Sequence, residues 1–194
     1  MFEKRLALIR LRKYMIELLY KIAFFLLSKI KAIILILLSF GYLKYNLFSN
    51  TLFFPNVRLR NKGVINIGDV KFRDNVSLFS DGGEIIISDG CFLNKNCSIN
   101  AMDSVFIDKN TIFGEGVIVY DHNHRVNSGA VSKDVFDIDR IHIGKNCWIG
   151  SNVIILKGIK ICDNVVIGAG TLVTKDILEP GIYISQSSSL RKIK

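Results

Sequence analysis

Proline and cysteine are scarce in this sequence, at two and four of 194 residues. So little proline beside 49% hydrophobic residues excludes a disordered or collagen-like chain. The cysteines, Cys91, Cys97, Cys147 and Cys162, form no Cys-x-x-Cys pair and outline neither a disulfide framework nor a thiolate metal site. They read as small apolar core side chains in a reducing cytoplasm. The N-terminus joins basic and apolar residues without a small-residue cleavage site, so a removable signal peptide is not expected. Imidazoles are rarer than carboxylates or lysines, and only His122, His124 and His142 are available as near-neutral bases.

Positive charge is plentiful but unevenly held. The formal net charge is +9, and residues 1–50 carry nine Lys or Arg against Glu3 and Glu17. The main body is nearly balanced and shows no groove of interleaved aromatic and basic residues, which argues against a nucleic-acid partner.

Residues 1–50 read as a basic, amphipathic and apolar helical segment. Leu8, Leu11, Met15, Leu18, Ile22 and Phe25 recur at helical spacing, with Arg10, Lys13, Glu17 and Lys21 on the opposite face. From Ile22 to Leu43 the apolar run is broken only by Lys29 and Lys31. Its Ile, Leu and Phe side chains favour insertion by roughly 7 kcal/mol, and the two lysines oppose it by about 5 to 7. Spanning is left undecided by that balance. A helix lying in the interface fits better, because its lysines reach the headgroups. The alternative is helices that pack on their own domain or on a neighbouring subunit.

From about Thr51 the helical period gives way to short β-branched runs punctuated by Gly, Asn, Asp and Lys. Ile143, Ile149, Ile155, Ile161, Ile167 and Val173 recur at an unbroken period of six. Four residues after each stand Cys147, Val153, Ile159, Val165, Thr171 and Ile177. Six residues suffice for one short strand and a corner, so three units close a triangular coil and stacked coils bury a column of anchors. Ile87, Leu93 and Ile99 share one earlier register, and Ile107, Phe113 and Val119 another, which predicts a bulge near residues 100–106. The repeat also lapses over YDHNHRVNSGAVSKDVFDIDR, predicting a protruding loop over residues 120–140.

These repeats, with the stretch IHIGKNCWIGSNVIILKGIKICDNVVIGAGTLVTKDI at 141–177, resemble the hexapeptide-repeat acyltransferases. Within them the likeness is to the galactoside and maltose O-acetyltransferases and to the lipopolysaccharide or capsule O-acetyltransferases, over residues from about 60 to 180. The resemblance implies an all-β, left-handed parallel β-helix over 51–180 with a catalytic loop, preceded by the helical segment and followed by a tail at 181–194. The left hand comes from the resemblance alone, since parallel crossovers are otherwise right-handed.

The activity implied is transfer of an acetyl group from acetyl-CoA to a sugar hydroxyl. An ungapped frame puts the family's catalytic histidine on His124, with His122 as second choice, and its catalytic asparagine on Asn94. A neutral imidazole would take the hydroxyl proton, and the backbone N–H of Ser151 would hold the oxyanion. Asp121 reads as an acidic turn residue or as an orienter of the loop or imidazole. Trp148 and Ser151 would flank the pantetheine arm, the backbone at Ala169 would meet its amides, and Thr174 with Lys175 would approach the nucleotide. After Pro180 the sequence departs from the family's Gly-x-Pro-Ala-Arg turn, leaving Arg191, Lys192 or Lys194 as the basic contact.

The resemblance further implies a homotrimer with sites between subunits. The basic apolar N-terminus points to an acceptor glycan at the membrane, such as a surface polysaccharide or lipid-linked precursor, and to a place at the cytoplasmic face of the inner membrane. Two rival functions share the repeat. A γ-type carbonic anhydrase needs three convergent histidines, and the spacing of His122 and His124 does not suit it. A non-catalytic scaffold would keep the fold without the chemistry.

Overall fold

All six anchors from Ile143 to Val173 are at most 1% exposed, and their partners from Cys147 to Ile177 at most 5%. A column of that kind exists only if each unit of six turns a corner. The computed structural model describes residues 2–38, 43–45, 52–53, 58–127, 129–186 and 189–193, and these form a parallel β-helix of stacked coils. Each coil contributes one strand to each of three parallel sheets. Sheet A holds Leu43–Tyr45, Val64–Ile67, Glu84–Ile87, Ser104–Ile107, Ile141–Ile143 and Lys160–Ile161. Sheet B begins Leu52–Phe53, Lys71–Phe72, Phe92–Leu93, Ile112–Phe113, Trp148–Ile149 and Val165–Ile167. Sheet C holds Arg58–Asn61, Ser77–Ser80, Ser98–Ala101, Ile118–Tyr120, Ile154–Ile155 and Leu172–Val173. Coils 1 to 6 follow in that order.

Asparagine makes the corners. Asn75, Asn96, Asn110, Asn146, Asn152 and Asn164 all adopt φ between 56° and 62°, the left-handed region that asparagine tolerates better than other side-chain-bearing residues. Stacked coils also align their amides. Asn110 donates to Asn146 and Asn146 to Asn164, each at 3.3 Å.

The register shift near residues 100–106 is a longer corner between sheets C and A. Ile65 pairs with Ile85 and Ile85 with Val105, whereas Ile143 pairs with Ile161, so coils 2 and 3 each carry two more residues than coil 5. Met102 and Asp103 occupy that extra length before coil 4.

The N-terminal helix runs from Phe2 to Leu38, and Leu43–Tyr45 is already a strand, with Leu43 opposite Ile65. The expectation of helix throughout residues 1–50 is corrected accordingly: Leu43 is 5% exposed and belongs to the column, while its three-residue strand is too short to show a period of two. The 50/51 boundary lies outside the described residues. Ser28 and Ala32 are buried, and Leu35 and Ile36 pack on the core, so the end of the helix covers coil 1. Residues 10–23 touch nothing that buries them. No described helix is long and apolar enough to cross a membrane.

Within the expected tail at 181–194, the described residues form two paired strands. Gly181–Gln186 joins sheet B beside Val165–Ile167, and Ser189–Lys192 pairs antiparallel with it.

Candidate active site

Between coils 4 and 5 the chain leaves the stack as an antiparallel hairpin, His122–Asn127 against Ala130–Ile138. Its neck is closed by the Asp139 N–H donating to the Asp121 carbonyl at 2.8 Å. Coils 4 and 5 stay paired past it, Val105 opposite Ile141, so the hairpin is an excursion that leaves the column intact.

Asp121 stands at the root. Its carboxylate is fully buried and accepts the backbone N–H of Met102 at 2.9 Å and of Asp103 at 2.7 Å, both on the corner of the coil before it. It also lies 2.9 Å from Nδ1 of His122. Of the two readings of Asp121, the geometry favours the orienter of the imidazole over a plain acidic turn residue. The signal of Asp121 in the sequence is positional: it follows an inward anchor by two residues, where the earlier coils place the buried Ser80 and Ala101.

His122 and His124 are two apart on one strand and so share a face. Nδ1 of His124 lies 2.9 Å from the Ser132 carbonyl. A carbonyl or carboxylate oxygen accepts here, so each Nδ1 is the donor, and in the neutral ring each Nε2 then presents a lone pair. Phe136 fills the space between the rings, edge-on to His122 at 5.6 Å and tilted against His124 at 4.6 Å. Arg125 and Asp137 tie the two strands at 2.7 Å. His122 is half withdrawn and lines a cavity of about 170 Å³ with Arg60, Phe79, Asp81, Asn100 and Met102. His124 is exposed. His142 is elsewhere, on sheet A and stacked on Phe106.

The other expected site residues gather at a different corner, between sheets B and C. Asn94, Gly114, Gly150 and Gly168 form one column there, followed by Lys95, Glu115, Ser151 and Ala169. Ser151 Oγ accepts the Glu115 N–H at 3.2 Å, and the N–H groups of Ser151 and Ala169 donate to nothing among the described residues. A Cβ on Gly114 would sit 2.5 Å from Ser151 N, and one on Gly150 2.6 Å from Ala169 N. Glycine at those positions keeps both donors uncovered.

Trp148 is 56% exposed on the outer face of sheet B between Ile112 and Val166. Thr174 and Lys175 are exposed just past the last strand of sheet C. Lys192 is held by Glu179 at 3.0 Å, Arg191 is likewise engaged, and Lys194 lies outside the described residues.

The expected site residues thus fall in two separate clusters. The unspent N–H groups and Asn94 lie where sheet C begins, and the histidines lie where it ends. The four residues Ser98–Ala101 between them span about 13 Å.

A family model, the hexapeptide repeat of succinyl-transferase, matches residues 140–175. The chain is 32% identical over 133 residues to the Escherichia coli K12 protein named lipopolysaccharide biosynthesis O-acetyl transferase WbbJ, covering 62% of this chain and 67% of that one. It is 32% identical to galactoside O-acetyltransferase of Lactococcus lactis over 96 residues, 50% of this chain and 46% of the relative. To the Escherichia coli galactoside O-acetyltransferase it is 38% identical, over 51% of this chain and 49% of the other. The chain therefore spans about half the length of the galactoside enzymes it matches. The Bacillus cereus N-acyltransferase AntD, solved with dTDP and coenzyme A, superposes with TM-score 0.67 over 75% of this chain and 80% of that one, at 21% identity, and shares the fold.

Proposed function

Because the chain belongs to the hexapeptide-repeat acyltransferases, we propose that it moves an acetyl group from acetyl-CoA to a saccharide hydroxyl. The observation that carries this reading is the pair of half-sites: imidazoles with a fixed tautomer on one side, uncovered N–H donors on the other. Nε2 of His124 takes the hydroxyl proton as the oxygen attacks the thioester carbonyl. The Ser151 N–H receives the developing oxyanion, and collapse expels the CoA thiolate, which regains the proton from the imidazolium. Asn94 positions the acceptor hydroxyl. Trp148, Ala169, Thr174 and Lys175 line the path offered to acetyl-CoA. His122 is the second reading for the base, favoured by its buried carboxylate partner.

About 13 Å of strand between the half-sites supports a trimer, in which the hairpin of one subunit meets the sheet B–C corner of its neighbour. The acceptor class we favour is a cell-surface polysaccharide or lipid-linked glycan precursor, handled at the cytoplasmic face of the inner membrane. That placement is supported by the helix, which exposes Leu11, Tyr14, Leu19, Tyr20 and Leu26 beside its basic residues. Saccharide-dependent release of thiol from acetyl-CoA, lost in His124→Ala, is the test. Hydrolysis or silence with every saccharide would refute it.

A further inference from the structure

The outer face of sheet C carries one column that the mechanism above does not use. Arg60 pairs with Phe79, Phe79 with Asn100, and Asn100 with Tyr120. Their strand neighbours Leu78, Ile99 and Val119 are wholly buried, so alternation turns these four outward. The column runs up the stack to the hairpin, where Tyr120 meets the His122 ring edge-on at 5.8 Å. Arg60, Phe79 and Asn100 line the same cavity as His122.

The chemistry of the column is that of a sugar track. A pyranose has an apolar C–H face and a rim of hydroxyls. Phe79 and Tyr120 offer rings to the first. Asn100 spends its Nδ2 on Ser98 Oγ at 3.0 Å and keeps Oδ1 to accept from a hydroxyl. Arg60 ends the track with an unspent charge: it makes no ion pair or hydrogen bond among the described residues. The Asp81 carboxylate feels the Arg60 charge but makes its ion pair with Lys62. Asp81 is bound by Lys62 at 2.8 Å, and that contact holds it below the usual carboxylate range. Arg60 stands on coil 1 and Tyr120 on coil 4, three strand spacings or about 14 Å apart.

We propose that this column binds the acceptor as an extended oligosaccharide, and that Arg60 reads an oxyanion on it, phosphate or carboxylate, at the coil 1 end of the track. The proposal rests on the acetyltransferase reading and narrows its acceptor to an acidic glycan. A phosphate would come from the carrier at the reducing end, and a carboxylate from a uronic residue within the glycan.

The test uses the full chain and three soluble trisaccharides: neutral, with a reducing-end phosphate, and ending in a uronate. Binding is measured by calorimetry and transfer by thiol release from acetyl-CoA, for the wild type, Arg60→Gln and Arg60→Lys. The wild type is expected to favour an anionic acceptor about tenfold in kcat/KM, mainly through KM. Arg60→Gln brings that ratio near one, and Arg60→Lys restores part of it. Preference for phosphate marks the carrier, preference for uronate marks an acidic residue, and equal preference marks the charge alone. Equal binding of all three by the wild type, a preference surviving in Arg60→Gln, or no binding of any of them overturns the proposal. Arg60-dependent binding without acetyl transfer would instead refute the acetyltransferase reading and leave the track standing.

Discussion

Asp121 and His122 meet at 2.9 Å, carboxylate to Nδ1, with the carboxylate fully buried and the ring keeping 18% of its surface open. The pair welds the hairpin to the coil stack, because the same carboxylate holds two backbone N–H groups of the preceding corner. Both histidines therefore project from a fixed root, and their roles separate by substitution. His124→Ala removes an exposed ring and should leave the fold intact while lowering transfer about a hundredfold or more. Asp121→Asn should cost about 1–3 kcal/mol of stability, because an amide replaces a charged acceptor of three donors. Thermal melts and thiol release measure both. Transfer that survives His124→Ala but is lost in His122→Ala and Asp121→Asn moves the base to His122.

Gly114 is needed for what it lacks. An added Cβ would fall 2.5 Å from Ser151 N and 2.7 Å from Ser151 Oγ. Gly114→Ala should therefore weaken coenzyme A binding at least tenfold and lower the melting temperature, since the contact is with backbone and cannot be relieved by a rotamer. Gly129→Asn is the control: its site is open and its φ of 81° suits asparagine better than other substituents. Calorimetry with coenzyme A that finds Gly114→Ala equal to the control would remove the Ser151 corner from the binding site.

The split between half-sites makes a prediction about mixtures. If Asn94 and His124 serve one site from different subunits, Asn94→Ala and His124→Ala proteins are each inactive alone. Mixed trimers assembled from both should regain activity, about a quarter of wild type for random equal mixing, because one interface per mixed trimer is intact. Recovery absent from mass-verified mixed trimers would place both residues in a single protomer's site.

Much of this was legible in the sequence, and the exceptions have physical causes. The anchors from Ile143 to Val173 announce themselves because a column of identical environments imposes an identical residue class every six positions. Asn94, Ser151 and Ala169 fall at one corner, as a six-residue frame requires. Leu43–Tyr45 was hidden because its inward Leu43 continues an apolar run whose helix ends only at Leu38. Gly181–Gln186 lacks the anchor spacing, yet an open sheet edge at Val165–Ile167 accepts it through backbone bonds that any residue supplies. Asp121 was offered as an orienter of the imidazole, but its burial was not legible, because it depends on three donors that lie 18 to 19 residues back or one residue ahead. Arg60 escaped because its column appears only once register is known.

The core cysteines give a pH dependence. Burial pushes the Cys91 and Cys97 thiols from an ordinary 9.0 up to about 11. A folded-state value raised above the unfolded one adds stability that is complete below about pH 9 and is lost as pH rises through about 11. Urea midpoints should therefore fall between pH 9 and 11, and less steeply in a Cys91→Ala, Cys97→Ala double variant. In the native protein at pH 8, iodoacetamide should leave both thiols unmodified. Identical slopes for the two proteins would assign the alkaline loss to other groups.

The helix gives the last prediction. Leu11, Met15, Leu18, Ile22 and Phe25 recur on one stripe, yet all are exposed, from 39% to 60%. The packing on coil 1 is made instead by Ser28, Ala32, Leu35 and Ile36. The alternative that this stripe packs on its own domain is not met, and an exposed apolar stripe flanked by lysine and arginine suits an anionic bilayer surface. Removing everything before Asn50 would not isolate this property, because it would also delete Leu43 and Ala32 from the core. Leu11→Gln, Met15→Gln and Leu18→Gln together alter the stripe and leave Phe25, whose ring lies 5.2 Å from the Lys29 ammonium, in place. The full chain should sediment with vesicles containing acidic phospholipid, and the triple variant should stay in solution with an unchanged melting temperature. Salt should release only part of the wild type. Each basic side chain near the surface contributes about 1 kcal/mol that ions screen, whereas the buried apolar area is insensitive to them. Equal sedimentation of variant and wild type would take the membrane contact away from this stripe. A monomeric triple variant beside an oligomeric wild type would instead make the stripe a contact between subunits.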